Sequence, residues 1–436
     1  MAQRQCTPLR RSLSRMLPAP ELRRLARSAG ALCRKRKVDP VELFWSLVLG
    51  LDGPRLRRIA DLRRSFEKAS GVRLSASSFY NRFTPALTRF LRLVMMKLLE
   101  KVVEPSEGAV RGLDKIKEIL CVDSSVIRLH DALARTFPAC RTNHTLSAAK
   151  LHMVLNVRGR GPKSIKITSE RVHDGPVLRA GRWVRGRLLI FDLGYYRYQL
   201  FDAIGRSKGF FLTRLKDNAN PVIVKLHRIH RGRAIPTEGR GLQEIKADLR
   251  REVFDAEAEV HFRRRAYGGL RSGACLTVRI VGLRDDKHGG YHWYITNLPP
   301  ETAPAEEIGK LYSSRWSIEL LFREMKSCYH LESMPSRKAH VVEAFLYLAV
   351  ITVLVSRTVL GAVRRWARLE DRRIPMERWA RLFVSAAPTL LAIVLDPARQ
   401  AKIRERHLLP FLATEAPDPN VGRLSLIERA GLSCLA

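Results

Sequence analysis

A carboxylate set in, or at the end of, an apolar β-strand is unfavourable unless it is paired or binds a cation. This chain carries two. Asp123 follows Ile119-Leu-Cys-Val122, and Asp192 follows Leu188-Leu-Ile-Phe191. One such residue is often an ordinary strand-end cap. Two, in strands expected to be neighbours, narrow the fold to one that gathers them.

The flanking pattern predicts that fold. Glu118 to Arg128 is rich in β-branched and apolar residues and reads as a buried strand. Lys150 to Val157 and Ser164 to Ser169 follow as strands. A helix is expected over Val177 to Val184, a strand over Arg187 to Asp192, a helix over Tyr196 to Gly205, and a strand over Phe210 to Leu215. The order β-β-β-α-β-α-β, with an acid on the first strand and another ending the fourth, is that of an RNase H-like core.

Outside this core the texture changes. Residues 1–112 read as helical, with Val41 to Leu49 a largely buried helix. Arg55 to Ala69, then Gly71, then a helix capped by Ser75 or Ser77 follow the helix-turn-helix pattern. Residues 217–300 read as a β-rich insertion. Its strands Ala258–Arg263, Cys275–Val281 and Tyr291–Thr296 are separated by Gly268-Gly269 and Gly289-Gly290. From Ala305 to about Val363 the chain reads as helical, and the remainder as helices with Pro-containing turns. The expected fold class is therefore α/β: an RNase H-like mixed-sheet core interrupted by a β-rich insertion, with helical N- and C-terminal regions. The expected domains are 1–112 (helical, DNA-binding), 113–216 (core, first part), 217–300 (insertion), 301–360 (core, second part) and 361–436 (helical). The apolar run Ala344–Val355 is too short to cross a bilayer and is expected to be a buried helix.

Charge selects the partner. The 79 Lys and Arg against 42 Asp and Glu give a net +37. Such a surface suits a polyanion, and nucleic acid above all, because each neutralised phosphate releases counterions. The Arg-rich first thirty residues read as a basic DNA-contacting arm. Seven cysteines without C-x-x-C spacing fit a reducing cytosol and no zinc knuckle.

The stretch Tyr312 to Lys326 contains no Gly or Pro and is read as one helix. At about 100° per residue, Tyr312, Arg315, Glu319 and Lys326 fall within an arc of about 60°, while Ile318, Leu321, Phe322 and Met325 lie on another face. An acid thus stands among two bases and a phenol. A solvated face with an Arg315–Glu319 pair is the plainer reading of that stripe. Glu324 points away from it. Three acids brought together would repel one another, and a pair of Mg²⁺ ions would neutralise them.

These residues carry a resemblance. The spacing Y-x2-R-x3-E-x6-K, met by Tyr312, Arg315, Glu319 and Lys326, resembles the hallmark of the DDE transposases of bacterial insertion sequences, in the insertion-sequence-4 type family. Asp123 in Val-Asp-Ser-Ser and Asp192 in Phe-Asp-Leu-Gly-Tyr-Tyr match the family's other two acids. The resemblance spans about residues 45 to 355. It implies that Asp123, Asp192 and Glu319 are catalytic and hold two Mg²⁺ ions, with Mn²⁺ able to substitute. Arg315 and Lys326 would grip phosphates of the transposon end, and Tyr312 would position the same strand. Trp293 in the insertion is the candidate to stack on a flipped base, against the plain alternative of a core Trp. Trp316 and Phe322 are assigned to packing. Implied too are cut-and-paste transposition at terminal inverted repeats, a homodimer in the synaptic complex, and a cytoplasmic, nucleoid-associated location without membrane. A catalytically inactive transposase-derived DNA-binding protein and an RNase H-fold nuclease remain as alternatives. A glycosidase using two carboxylates is disfavoured by the net charge of +37.

Overall fold

The computed structural model describes residues 8–31, 38–51, 58–102, 116–140, 145–157, 161–228, 236–265, 272–285, 290–332, 334, 336–369 and 373–419. Six helices open the chain: α1 (Pro8–Met16), α2 (Ala19–Ser28), α3 (Pro40–Leu49), α4 (Ile59–Ser70), α5 (Ala76–Tyr80) and α6 (Pro85–Val102). Strands β1 (Glu118–Arg128), β2 (Ala148–Asn156) and β3 (Gly161–Ser169) follow, then the single turn α7 (Asp174–Val177), β4 (Arg187–Phe191), α8 (Tyr198–Arg206) and β5 (Phe210–Arg214). Next come β6 (Val222–Leu226), α9 (Leu242–Ile245), β7 (Val253–Arg263), β8 (Gly273–Arg284) and β9 (Tyr291–Thr296). Helices α10 (Ala305–Ser313), α11 (Trp316–Ser327), α12 (Ala339–Ala367), α13 (Met376–Leu395) and α14 (Ala398–Glu415) close the described chain.

The strands form one sheet in the order β3-β2-β1-β4-β5-β9-β8-β7-β6. β1 pairs antiparallel with β2 and parallel with β4, and β4 pairs parallel with β5. That half is the RNase H-like arrangement. β9 joins β5 antiparallel, so the inserted strands extend the same sheet instead of building a second one. Alternation along the strands splits the core between two faces. Cys121, Ile127 and Ile190 belong to one core with the helices, while Val122, Phe191 and Ile295 belong to another on the opposite face.

The helices of both chain ends share the first core. Leu9, Leu13, Leu22 and Leu25 are buried in it. The Leu9 N–H donates to the buried Glu405 of α14 at 2.6 Å. The described part of the expected basic arm, from residue 8, is therefore a pair of amphipathic helices docked on the body, because its leucines recur at helical spacing. Likewise, the boundaries expected at 112 and 361 do not divide this core.

Other expectations need correction. Val177–Val184 is not a helix: Leu178 and Gly181 are extended and leave only α7 and a 3₁₀ turn, Arg182–Val184. β6 was not anticipated. Pro388 and Pro410 lie inside α13 and α14, whereas Pro375 and Pro397 are N-caps. Helix formation from Ala305 onward is interrupted between Ser327 and Ala339. The run Ala344–Val355 sits within α12, which with α13 is long and apolar enough to cross a membrane. The most apolar window of α12 is 78% buried inside the protein. The dipeptide Gly268-Gly269 and residue Gly289 lie outside the described residues. In the helix-turn-helix pattern, Gly71 terminates α4 at φ +72° and Ser75 caps the five-residue α5.

One buried acid anchors the sheet behind the site. Glu118, 2% exposed, accepts hydrogen bonds from Arg187 and Lys163, and from Asn156 Nδ2 at 2.7 Å. Burial alone would raise its pKa, but the Arg187 and Lys163 hydrogen bonds and charges outweigh it and hold the carboxyl below its ordinary value. A depressed folded pKa contributes stability above the unfolded pKa and loses it as pH falls through the folded one. Glu118→Gln is expected to lower unfolding free energy by about 2 kcal/mol at neutral pH. Denaturant titrations should show that difference shrinking below about pH 4.

Candidate active site

The parallel pairing of Val122 with Phe191 puts Asp123, midway along β1, beside Asp192, just past the end of β4. Asp123 shares the sheet face of Cys121, whose thiol donates to the Ser314 carbonyl at 3.4 Å. That contact ties β1 to the junction of α10 and α11. Asp192 stands just past β4 and caps the turn Leu193–Tyr195, accepting from the Gly194 N–H. Glu319 lies in the first turn of α11. Arg315 links it to the strand: its Nη1 is 2.5 Å from Glu319 Oε1 and 3.7 Å from Asp123 Oδ2.

The three acids feel one another. Burial, chiefly, pushes the Asp123 carboxyl up to about 6, and the charges of Asp192 and Glu319 add to it. The Ser124 N–H, 2.7 Å from Oδ1, and Arg315 pull the other way. Carboxylate oxygens are the ligands that hard divalent cations prefer, and a cation there would relieve this repulsion. Their oxygens are of the donor type a divalent cation takes, although the group of ligand atoms found within 4.8 Å of one another among the described residues is Glu259, His261 and Cys275, not these three. Asp123 and Glu319, but not Asp192, line a cleft of about 520 Å³ together with Ser124, Phe322, Lys326 and Glu332.

The single helix expected from Tyr312 to Lys326 is two helices. Arg315 N–H bonds to the Tyr312 carbonyl, and Ile318 N–H to the Arg315 carbonyl, three residues back in each case, which tightens the turn between α10 and α11. Tyr312 thus ends α10, where its ring packs on Tyr294 at 5.4 Å and beneath the Arg315 guanidinium at 5.7 Å. Burial raises the Tyr312 phenol pKa. Lys326 lies at the far end of the cleft, 2.9 Å from Glu332 and 3.4 Å from the Val126 carbonyl.

Trp293 is not brought to the acids. Its ring lies on the opposite sheet face against Phe254, Tyr291 and Lys246, in a space that Gly282 leaves open. These neighbours account for it as a packing residue. Trp316, expected to pack, is instead 52% exposed beside Arg315, whereas Phe322 is buried. Glu324 is buried against Arg357 of α12 at 2.6 Å. The sequence reading missed Asp174, which accepts from the Ser124 hydroxyl at 2.8 Å. Only its place next to the expected helix marked it, and nothing local pointed to β1.

The family model of the transposase DDE domain matches residues 114–355, which include all three acids. The chain belongs to that family: it is a bacterial insertion-sequence DDE transposase, an enzyme that cleaves and joins DNA and depends on divalent metal. It is 23% identical to the transposase for insertion sequence element IS231F of Bacillus thuringiensis subsp. israelensis, over 83% of this chain and 82% of the relative. It is 21% identical to that of IS231B of Bacillus thuringiensis subsp. berliner, over 83% and 81%. Among solved structures, the piggyBac transposase synaptic complex with hairpin DNA aligns over 92% of this chain and 83% of that one, with TM-score 0.45 and 10% identity.

Glu324→Gln separates the two glutamates of α11. It removes the buried carboxylate charge that pairs with Arg357 and is expected to destabilise by about 3–5 kcal/mol. Melting should shift down while DNA cleavage per folded molecule persists. An unchanged melting point with cleavage lost would make Glu324 the catalytic acid.

Proposed function

We propose that Asp123, Asp192 and Glu319 together hold two Mg²⁺ ions, with Mn²⁺ able to substitute, and that this centre cuts the ends of an insertion-sequence-4 type element and joins them to target DNA. The observation that carries this reading is the bridge from Glu319 through Arg315 to Asp123, with Asp192 on the adjoining strand end. Bound there, the ions would activate water or a 3′-hydroxyl and stabilise the leaving oxygen.

The chain's own groups do the rest. Asp123 and Asp192, fixed by the strand pairing, present oxygens from the sheet, and Glu319 closes the site from α11. Arg315 is the internal counter-ion of these acids until cations take over their charge. It then stands free to contact a phosphate beside the scissile bond. Lys326 grips the backbone further along the cleft, and Tyr312 orients the same strand by holding the Arg315 guanidinium over its ring. The excess of basic residues supplies the long-range attraction to DNA. The helical region 1–112 is the proposed reader of the terminal inverted repeats. We place the reaction in a homodimeric synaptic complex on DNA in the bacterial cytoplasm, at the nucleoid.

Glu319→Gln removes one ligand charge without changing volume. Cleavage of a terminal-repeat substrate is expected to fall by more than about 10³-fold, from several kcal/mol of lost metal-assisted stabilisation. Gel-shift binding of the same DNA should stay within a few-fold. Chelation with EDTA should reproduce the loss, and Mg²⁺ or Mn²⁺ should restore it. Undiminished cleavage by the variant would exclude the assignment.

A further inference from the structure

Behind Asp123 and Asp192 lies a fourth carboxylate. Asp174 opens α7, at the end of the segment leaving β3. Its Oδ1 accepts from the Ser124 hydroxyl at 2.8 Å, and lies 3.3 Å from Lys150 Nζ and 3.4 Å from His152 Nδ1. Ser124 follows Asp123 on β1, and His152 faces Ser124 across the β1–β2 ladder. The other oxygen meets the turn after β4. A methyl group placed on Gly194 would stand 3.2 Å from Asp174 Oδ2 and 3.1 Å from Asp192 Oδ1. One side chain thus hydrogen-bonds to β1, lies beside Lys150 and His152 of β2, and faces the Asp192 turn at Gly194.

Salt formation with Lys150 alone does not explain this arrangement. A surface ion pair needs no buried histidine and no hydroxyl from the neighbour of a site residue. His152 is 4% exposed; one ring nitrogen is engaged by Thr168 Oγ1 at 2.9 Å, while Nδ1, 3.4 Å from Asp174 Oδ1, makes no hydrogen bond. Tyr195, buried in the same turn, lies close enough to Ser124, Asp174, Asp123 and Asp192 to feel all four. The cluster is a largely buried polar group at the back of the acids, joined to β1 by the Ser124–Asp174 hydrogen bond.

We propose that Asp174 is a positioning residue of the metal centre: through Ser124 and across Gly194 it fixes the spacing between Asp123 and Asp192. This rests on the reading of those acids as the metal site. Carboxylates that orient metal ligands from behind are worth about 10–100-fold in metal affinity.

The test is Mn²⁺ binding to the full-length protein, followed by electron paramagnetic resonance, together with the Mn²⁺ concentration giving half-maximal cleavage. Asp174→Asn should weaken Mn²⁺ binding by about 10–100-fold and raise the half-maximal concentration in step. Excess Mn²⁺ should rescue cleavage, and terminal-repeat DNA binding should not change. Asp174→Glu should recover part of the affinity. Ser124→Ala, which removes only the linking hydroxyl, should weaken Mn²⁺ binding in the same direction and serves if Asp174→Asn does not fold. Wild-type Mn²⁺ affinity and requirement in the folded Asp174→Asn or Ser124→Ala protein would overturn the proposal. Asp123→Asn is the control: if it loses Mn²⁺ binding while Asp174→Asn does not, only the role of Asp174 falls. If Asp123→Asn also binds Mn²⁺ normally, the metal site itself has been misplaced.

Discussion

The parallel pairing of β1 with β4 is the constraint on which the rest depends. Parallel strands need a crossover connection, and here it runs through β2, β3 and α7 before the chain returns beside β1. The return brings two carboxylates, 69 positions apart in the chain, side by side, Asp123 midway along β1 and Asp192 past the end of β4. Both strands bury apolar residues in the sheet's two cores, so the packing that folds the sheet also holds the acids close. Helix α11 completes the site because its apolar side packs into the same core, which turns Glu319 toward β1, where Arg315 links it to Asp123.

Electrostatics then decides what such a site can do. Three neighbouring acids in a partly buried setting are unfavourable, and Asp123 shows it in its raised pKa. Arg315 offsets part of that repulsion, yet one guanidinium cannot balance three carboxylates. The remaining imbalance favours divalent cations, while the net +37 of the chain favours DNA. A centre that attracts cations is thereby set on a protein that attracts polyanions, which is the pairing metal-dependent phosphoryl transfer requires.

Much of this was legible in the sequence where burial and local pattern agree. β1 and β9 fall where their apolar and aromatic runs predicted, at Glu118–Arg128 and Tyr291–Thr296. The acids on β1 and at the end of β4 stood out because carboxylates are rare in such company. What escaped depended on packing between distant segments. The tightened turn at Ser314–Arg315 uses bonds three residues back, which helical periodicity does not register. Pro388 and Pro410 read as turn residues, but packing among α12, α13 and α14 overrides that preference. β6 is a short edge strand after Pro221. Trp316, expected to pack, is exposed, and Trp293 sits on the face away from the acids, because residue type alone does not tell which sheet face, or how much solvent, a tryptophan meets. The contact of Asp174 with Ser124 spans 50 positions and leaves no local trace.

The most direct measurement is anomalous diffraction from crystals of the full-length protein grown with Mn²⁺. The account predicts two manganese peaks about 3.5–4 Å apart, ligated by Asp123, Asp192 and Glu319. Manganese bound elsewhere, with those three side chains ligating none of it at saturating concentration, would contradict it.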